Sequence, residues 1–405
     1  MEAVGIIDIA GGMALRFWPT LAALAVLFAF SVTFRPRLGL YGQILGSGVG
    51  IAGVLICSFW IFTAIFSNWI APLDPRVQVA IMKNAVPGAI NPDNQMVFLL
   101  GGDGLARDVF SRLVHGARIV LTIAPAATLI AFIVGITLGL PAGYFGGKID
   151  SFLSFLANLV LAFPVILLFY LLVAPGIMDT PLPYLLGGIL FLVPIAFFVI
   201  LFWTKFETRP DRLWRYIPVT LAVGAWLWLS LMSTSSLLNL LNERGLSWVA
   251  SFLDLPIFKV ISIEPNELNI FVAVVFASSP GVFRIVRGLT LDIMTRDYVA
   301  AAQTRGEVPW YIMLWEILPN ARGPLIVDAC LRIGYTTILL GTLGFFGLGM
   351  GPESPDWGTA IKDGSQIAQL RLYTWQGVAP AIALMSLVLG LNLLADALRE
   401  ESLRD

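Results

Sequence analysis

The chain has 405 residues, of which 58% are apolar and only 13% are charged, against about 45–50% apolar and about 25% charged in an ordinary globular chain. With a mean hydropathy of +0.85 it carries more apolar surface than a water-soluble fold can bury, and this excludes soluble, disordered, collagen-like and disulfide-scaffold classes. Twenty-five Lys and Arg against 26 Asp and Glu leave a net charge of −1, so no basic field points to nucleic acid, and an integral membrane protein remains.

A bilayer core about 30 Å thick is crossed by roughly 20 apolar residues in a helix. That ruler predicts about nine spans, at 15–34, 47–70, 118–140, 151–173, 183–203, 216–240, 268–286, 324–345 and 376–395. The N-terminus carries no short apolar stretch with a small-residue cleavage site, so the first run is expected to be retained. Only a short turn, near 174–182, separates the fourth and fifth spans. Pro125, Pro164, Pro194, Pro218 and Pro280 lie inside spans. Each removes a helix hydrogen bond; Ser278 and Ser279 precede Pro280 and are expected to recover its freed carbonyl. At Pro280 the bend is read either as a static kink or as one that moves with a gate.

Arg35 and Arg37, the segment TKFETRPDRLWR, and five arginines between Arg284 and Arg322 fall on one side of a nine-span layout. By the positive-inside rule that side is the cytoplasm, with the C-terminus inside and the N-terminus outside. Two polar stretches exceed simple turns, an outer one at 71–116 and an inner one at about 287–322, and segments of this length carry function or their own structure. Cys57 and Cys330 sit in apolar runs and read as small buried hydrophobes. One histidine, His115, with no cluster around it, makes no metal site.

The inner segment reads RGLTLDIMTRDYVAAAQTRGEVPWYIMLWEILPN. Helix formers fill its first half, about 289–304, and Gly306 supplies the positive φ that ends a helix. Pro309 suits the first turn of a second helix, expected to run through Trp310 and Trp315 to Leu318 and to stop at Pro319. From the residues alone such a corner suits either another protein's groove or the lipid headgroup layer. Asp328 and Arg332, four apart in the eighth span, share a helix face. Charges at that depth are paired or face a cavity; the pair is read as self-satisfied, or as lining a path or bonding a second subunit.

DYVAAAQTRG, with ILPN eleven residues after Gly306, resembles the EAA loop of bacterial ABC-importer permeases. LLGGDGLARDVFSRLVHGARIVL at 99–121, PAGYFGGKID at 141–150 and AFP at 162–164 resemble the dipeptide/oligopeptide permease family, second-subunit type. SSPGVFRIVRG at 278–288, LGFFGLGMGPESPDWGTAIKDG at 343–364 and LNLLADALRE at 391–400 continue that resemblance. The chain departs from the family pattern at Ala300, where Glu is usual, at Gly102, where Thr is usual, and at Ala106, where Gly is common.

The resemblance implies an all-α polytopic bundle, a type I ABC importer transmembrane domain, with a six-span core and three extra helices. Residues 1–70 hold two spans, the first extra to that core; 71–117 form a periplasmic segment; 118–174 are core spans. Residues 175–266 are an inserted helical hairpin plus a periplasmic segment, expected to be a lipid-facing buttress or a docking site. Residues 267–400 are core spans carrying the coupling loop at about 289–319, and 401–405 are a cytoplasmic tail. Contact with an ATPase subunit is carried over to Tyr298, Ala300, Ala301, Ala302, Gly306, Pro309, Leu318 and Pro319, with Pro280, Asp328 and Arg332 as candidates for the path or a subunit contact. The closest approach to a phosphate loop, GYFGGKID, has Ile149 where Ser or Thr is required. The chain is therefore expected to be no enzyme and to bind no cofactor or metal, with ATP and Mg on partner subunits. Expected partners are a sister permease, two ATP-binding subunits, a periplasmic substrate-binding protein and the lipid bilayer of the inner membrane. Cargo is expected to be peptide-like, with oligosaccharide or opine-like compounds as the alternative. A secondary carrier, which would show inverted repeats, and a membrane scaffold are the competing classes.

Overall fold

The computed structural model describes residues 2–173, 180, 182–258, 265–351, 353–366 and 371–402. Most of the turn expected between the fourth and fifth spans, and tail residues 403–405, lie outside them. The helices used below are α1 (Ile6–Arg16), α2 (Trp18–Phe34), α3 (Gly48–Ile65), α4 (Val109–Phe145), α5 (Gly147–Ala162), α6 (Val165–Val173), α7 (Leu182–Phe206), α8 (Pro210–Met232), α9 (Pro265–Ile293), α10 (Asp297–Thr304), α11 (Arg322–Phe345), α12 (Trp357–Gly364) and α13 (Trp375–Ser402). Among the described residues eight helices are long and apolar enough to cross a bilayer, and nine crossings result if the bent pair α5–α6 is one span. Backbone contacts divide the chain into two units, one of Met1–Pro125 with Ile326–Asp405 and one of Ala126–Leu325.

In the first unit α3 pairs with α13. Trp60 Nε1 donates to Ser386 Oγ at 2.9 Å, and buried Cys57, Ala383, Leu387 and Leu391 pack around it. Trp357 is fully buried, donates from Nε1 to the Leu113 carbonyl at 2.9 Å and meets Trp60 edge-on at 5.0 Å. Its helix is capped by Asp356, whose carboxylate accepts from Thr359 N and Oγ1, both at 2.9 Å. Burial pushes the Asp356 carboxyl up, while those hydrogen bonds pull it down. The polar stretch before α4 has its own structure, as its length leads one to expect. Ala89–Ile90 and Val97–Phe98 form a two-stranded antiparallel sheet with Ala89 opposite Phe98.

The backbone explains one departure in this stretch, Gly102, and works against the other, Ala106. A Cβ at Gly102 would lie 1.9 Å from the Met82 carbonyl oxygen, so a threonine has no room in this conformation. Ala106 sits at φ 63°, a left-handed conformation in which a side chain costs about 1–2 kcal/mol. Ala106→Gly is therefore expected to stabilise the chain by about 1 kcal/mol after glycine's extra entropy cost, read as a raised thermal midpoint of the detergent-solubilised protein. An unchanged or lowered midpoint would show that Ala106 carries no such strain.

In the second unit α4 and α9 approach closely. Gly135, Gly139 and Gly143 form a stripe on α4, and a Cβ on each would fall 2.5, 2.8 and 2.6 Å from the side chains of Val282, Val286 and Thr290. Small residues four apart on one helix against branched residues four apart on the other are how membrane helices gain close van der Waals contact. Ala157 of α5 packs with Ala142 and Phe283 against this seam.

Several spans differ from the sequence-based expectation. The fourth, taken as 151–173, is two helices bent by 87°, because Pro164 holds Phe163 extended at φ −77°, ψ 135°. The sixth, taken as 216–240, begins at Pro210 and ends at Met232. The basic loop before it shrinks to 207–209, since Pro210 starts a helix well. The third, taken as 118–140, extends over 37 residues. At Pro280 the helix continues, and Ser279 Oγ donates to the Val275 carbonyl at 2.5 Å, not to the Phe276 carbonyl that the proline frees.

Candidate functional site

The inner segment folds into a helix, a glycine corner and a second, partly π-helical run. α9 continues to Ile293, past the point where the segment's first helix was expected to begin, and a turn at 294–296 separates it from α10. On α10, Val299 and Ala302 are buried, while Tyr298, Ala300, Ala301, Gln303 and Thr304 are exposed. One face is thus fixed to the protein, and the other offers a tyrosine among small residues.

The corner is built from backbone. Gly306 has φ 78°; its N–H donates to the Gln303 carbonyl at 3.0 Å, and the Glu307 N–H donates to the Ala302 carbonyl at 3.3 Å. These are the paired bonds that close a helix through a left-handed glycine. Gly306 is exposed, with nothing within 4 Å of where a Cβ would stand. Extended Val308 then caps the next turn and Pro309 occupies its first position. Arg305 bonds Glu316 across the corner at 3.0 Å.

The second run does not stop at Pro319. It passes through Pro309–Tyr311, a π-helical stretch Ile312–Ile317 and Leu318–Asn320. Pro319 has no N–H to return to the Trp315 carbonyl, and the turn ahead of it is widened. Ile312, Met313, Leu314 and Ile317 are buried, while Pro319 and Asn320 are exposed. Wide turns of this kind recur at functional sites. After Ala321, whose N–H is shared between the Ile317 and Leu318 carbonyls at 3.1 Å each, the chain enters α11.

Two arginines link α9 to α5. Arg287 forks onto Asp150, Nη2 to Oδ2 at 2.6 Å and Nε to Oδ1, and Ser154 Oγ donates to the same carboxylate at 3.0 Å. Arg284 Nη2 donates to Asn158 Oδ1 at 2.7 Å. The paired geometry fixes angle as well as distance, so α5 is tied to the helix that leads into α10.

The candidates for the path are placed differently. Pro280 is buried within α9. Arg332 Nε donates to Asp328 Oδ2 at 2.6 Å, and both side chains are mostly shielded. Asp328→Ala, which removes a carboxylate partner of a shielded guanidinium, is expected to cost about 3 kcal/mol. The double change Asp328→Ala with Arg332→Leu is expected to recover most of that. Thermal midpoints of Asp328→Ala, Arg332→Leu and the double variant check it, and a double variant as unstable as the sum of the two singles would show the two side chains act independently.

A second polar cluster lies in the first unit, out of reach of sequence reasoning. Asp103 accepts from Arg107 Nε at 2.7 Å; Arg107 Nη2 lies 3.8 Å from Asp363, and Arg112 Nη2 donates to the Ser354 carbonyl at 2.8 Å. With Trp357 and Gln376 these side chains line a cavity of about 280 Å³. Burial pushes the Asp363 carboxyl up, opposed by Arg107 and Arg112. The guanidinium groups are met by the protein's own carboxylates, which is the arrangement of a structural clamp. Among the described residues no three His, Cys, Asp or Glu side chains converge on a metal geometry.

Residues 135–400 match the family described as binding-protein-dependent transport system inner membrane component. The chain is 27% identical over 350 residues, 86% of each chain, to the di/tripeptide transport system permease protein DppC of Pseudomonas aeruginosa (strain UCBPP-PA14). It is 29% identical over 355 residues, 88% of this chain and 87% of the relative, to the dipeptide transport system permease protein DppC of Escherichia coli (strain K12). To the glutathione transport system permease protein GsiD of Pectobacterium atrosepticum it is 25% identical over 389 residues, 95% of this chain and 97% of the relative.

Proposed function

This chain belongs to the family of binding-protein-dependent transport system inner membrane components, and from that premise we propose that it is the permease subunit of an ATP-binding-cassette importer for peptide-like cargo. It is a multi-pass protein of the inner membrane. In the proposed assembly a periplasmic binding protein delivers the solute, a sister permease completes the path, and two ATP-binding subunits hold ATP and Mg. The proposed orientation puts the C-terminus and α10 in the cytoplasm and the N-terminus in the periplasm.

One observation carries the reading: the exposed Tyr298, Ala300 and Ala301 face of α10, closed by Gly306 at φ 78° against a second anchored run. Small residues let a partner groove close on the helix, and the tyrosine gives it an amphipathic anchor. Ala300 removes the charge that the family pattern places there, so grip depends on shape. Nucleotide can drive the cycle only by favouring one of two states of the whole assembly. Movement of α10 would pass through Gly306 and the π-helical run into α11, and through Arg287 and Asp150 into α5. Peptide cargo is supported by the relatives, which are permeases of di/tripeptide, dipeptide and glutathione transport systems.

The test is purification of the tagged chain from its own membranes, with the copurifying subunits identified by mass spectrometry, together with uptake of radiolabelled dialanine. Copurified ATP-binding subunits, and uptake that is lost when their genes are deleted, are the expected results. Dialanine transport by the chain alone in liposomes would overturn the proposal.

A further inference from the structure

The coupling segment is held by more than its own helices. Trp315, in the middle of the π-helical run, donates from Nε1 to Thr204 Oγ1 at 3.2 Å. Thr204 is buried at the end of α7. Its hydroxyl donates back to the Ile200 and Leu201 carbonyls, at 3.0 and 3.1 Å, which orients a lone pair toward the indole. The next residue adds a second contact: Lys205 Nζ lies 5.5 Å from the Trp315 ring and 5.7 Å from the Phe206 ring. A single ammonium thus sits within cation–π reach of one ring on each side of the junction.

The hairpin that presents these two residues is stiff. At its turn Phe206 stacks on Tyr216 of α8, 4.9 Å apart and 9° from parallel, and Phe202 stacks on the same ring at 5.5 Å. Toward its other end Trp228 Nε1 of α8 donates to the Gly188 carbonyl of α7 at 2.9 Å. There the buried side chains of Tyr184, Phe191 and Met232 pack on Leu268 and Val272 of α9. The hairpin is therefore braced on α9 at one end and touches the coupling segment at the other.

We infer that the α7–α8 hairpin is a positioning strut for the coupling segment, holding Trp315 through Thr204 and Lys205 so that a push on α10 is delivered to α11. The inference rests on the coupling role proposed above and gives the two inserted helices a task within it. A side chain that is clamped from outside its own run keeps the π-helical turn from rocking. Without the clamp, part of each push on α10 is spent in bending the corner between α10 and α11. The strut acts through Trp315 and touches neither solute nor nucleotide.

The test uses the complex that copurifies with the tagged chain, reconstituted in vesicles, and reads ATP hydrolysed per radiolabelled dialanine carried. Thr204→Val keeps the shape and loses the acceptor; Trp315→Phe keeps a ring and loses the donor. Each is expected to raise the ratio about fivefold, the effect of one hydrogen bond of typical strength. The double variant should rise no further than either single one. Thr204→Ser should restore the unaltered ratio, which mere packing damage would not do. Lys205→Met should raise it about twofold, as for a partly exposed cation–π contact. An unchanged ratio in Thr204→Val, or a double variant that multiplies the two single effects, overturns the strut while ATP-driven uptake stands. If Thr204→Val fails to accumulate, Lys205→Met carries the test, and an unchanged ratio there overturns the strut equally. If the unaltered complex carries no dialanine at the expense of ATP, the permease reading fails and the strut with it.

Discussion

Gly306→Val is expected to cut ATP-driven uptake at least tenfold, on the order of 1.4 kcal/mol or more, while the chain still inserts and accumulates. At φ 78° a side chain costs about 1–2 kcal/mol, and branching at Cβ makes it worse. No neighbour stands within 4 Å of an added Cβ, so the cost falls first on the backbone of the corner and not on packing. The corner relieves it by opening the bonds from Gly306 to Gln303 and from Glu307 to Ala302, which swings α10 relative to Pro309. Gly306→Asn should be milder, because asparagine tolerates the left-handed region, and Gly306→Ala should fall between. Uptake is measured beside the membrane level of each variant. Full uptake by the valine variant would sink the idea that the corner transmits force.

Gly139→Leu should act earlier, on folding itself. A Cβ there lies 2.8 Å from Val286 Cβ and 3.0 Å from the Phe283 carbonyl oxygen. The second of these is backbone and has no rotamer to escape into. The whole leucine can be housed only by parting α4 from α9, which also loses the contacts at Gly135 and Gly143. Overpacking a tight seam costs about 1–3 kcal/mol, and more where backbone must shift. The expected result is a strongly reduced level of chain in the membrane and a thermal midpoint several degrees lower, with Gly139→Ala giving a smaller loss. Normal accumulation and an unchanged midpoint for the leucine variant would mean that the two helices do not meet along this stripe.

The two experiments separate kinds of information that the sequence held unequally. The Gly306 corner was legible because its cause is local: helix formers, then a residue free to take positive φ, then Pro309 at a first turn. The wide turn at 312–317 was not, since Pro319 read only as a stop. The carbonyl that Pro319 leaves unbonded can be absorbed by widening the preceding turn, and nothing in composition says which outcome is taken. Pro164 marks a lost hydrogen bond and a kink, but the size of the bend, 87°, is not readable there, because apolar length alone makes 151–173 look continuous. The order of Ser279 and Pro280 suggested a repair that Ser279 does not make, because its hydroxyl bonds the Val275 carbonyl four residues back.

Residues 137 positions apart meet in the Asp150–Arg287 fork, and 111 separate Thr204 from Trp315. Neither pair leaves a mark on hydropathy or spacing. The glycines of α4 read as a stripe only once Val282, Val286 and Thr290 are seen opposite them.

Membrane class, the approximate number of crossings and the punctuation of the coupling segment were set by the order of residues alone, because transfer from water to lipid and the limits on φ act on each residue where it stands. Which helix faces met, which charges were neutralised and what the inserted hairpin touches were decided only in three dimensions. There a contact depends on two surfaces arriving together, and the fit of one cannot be judged without the other.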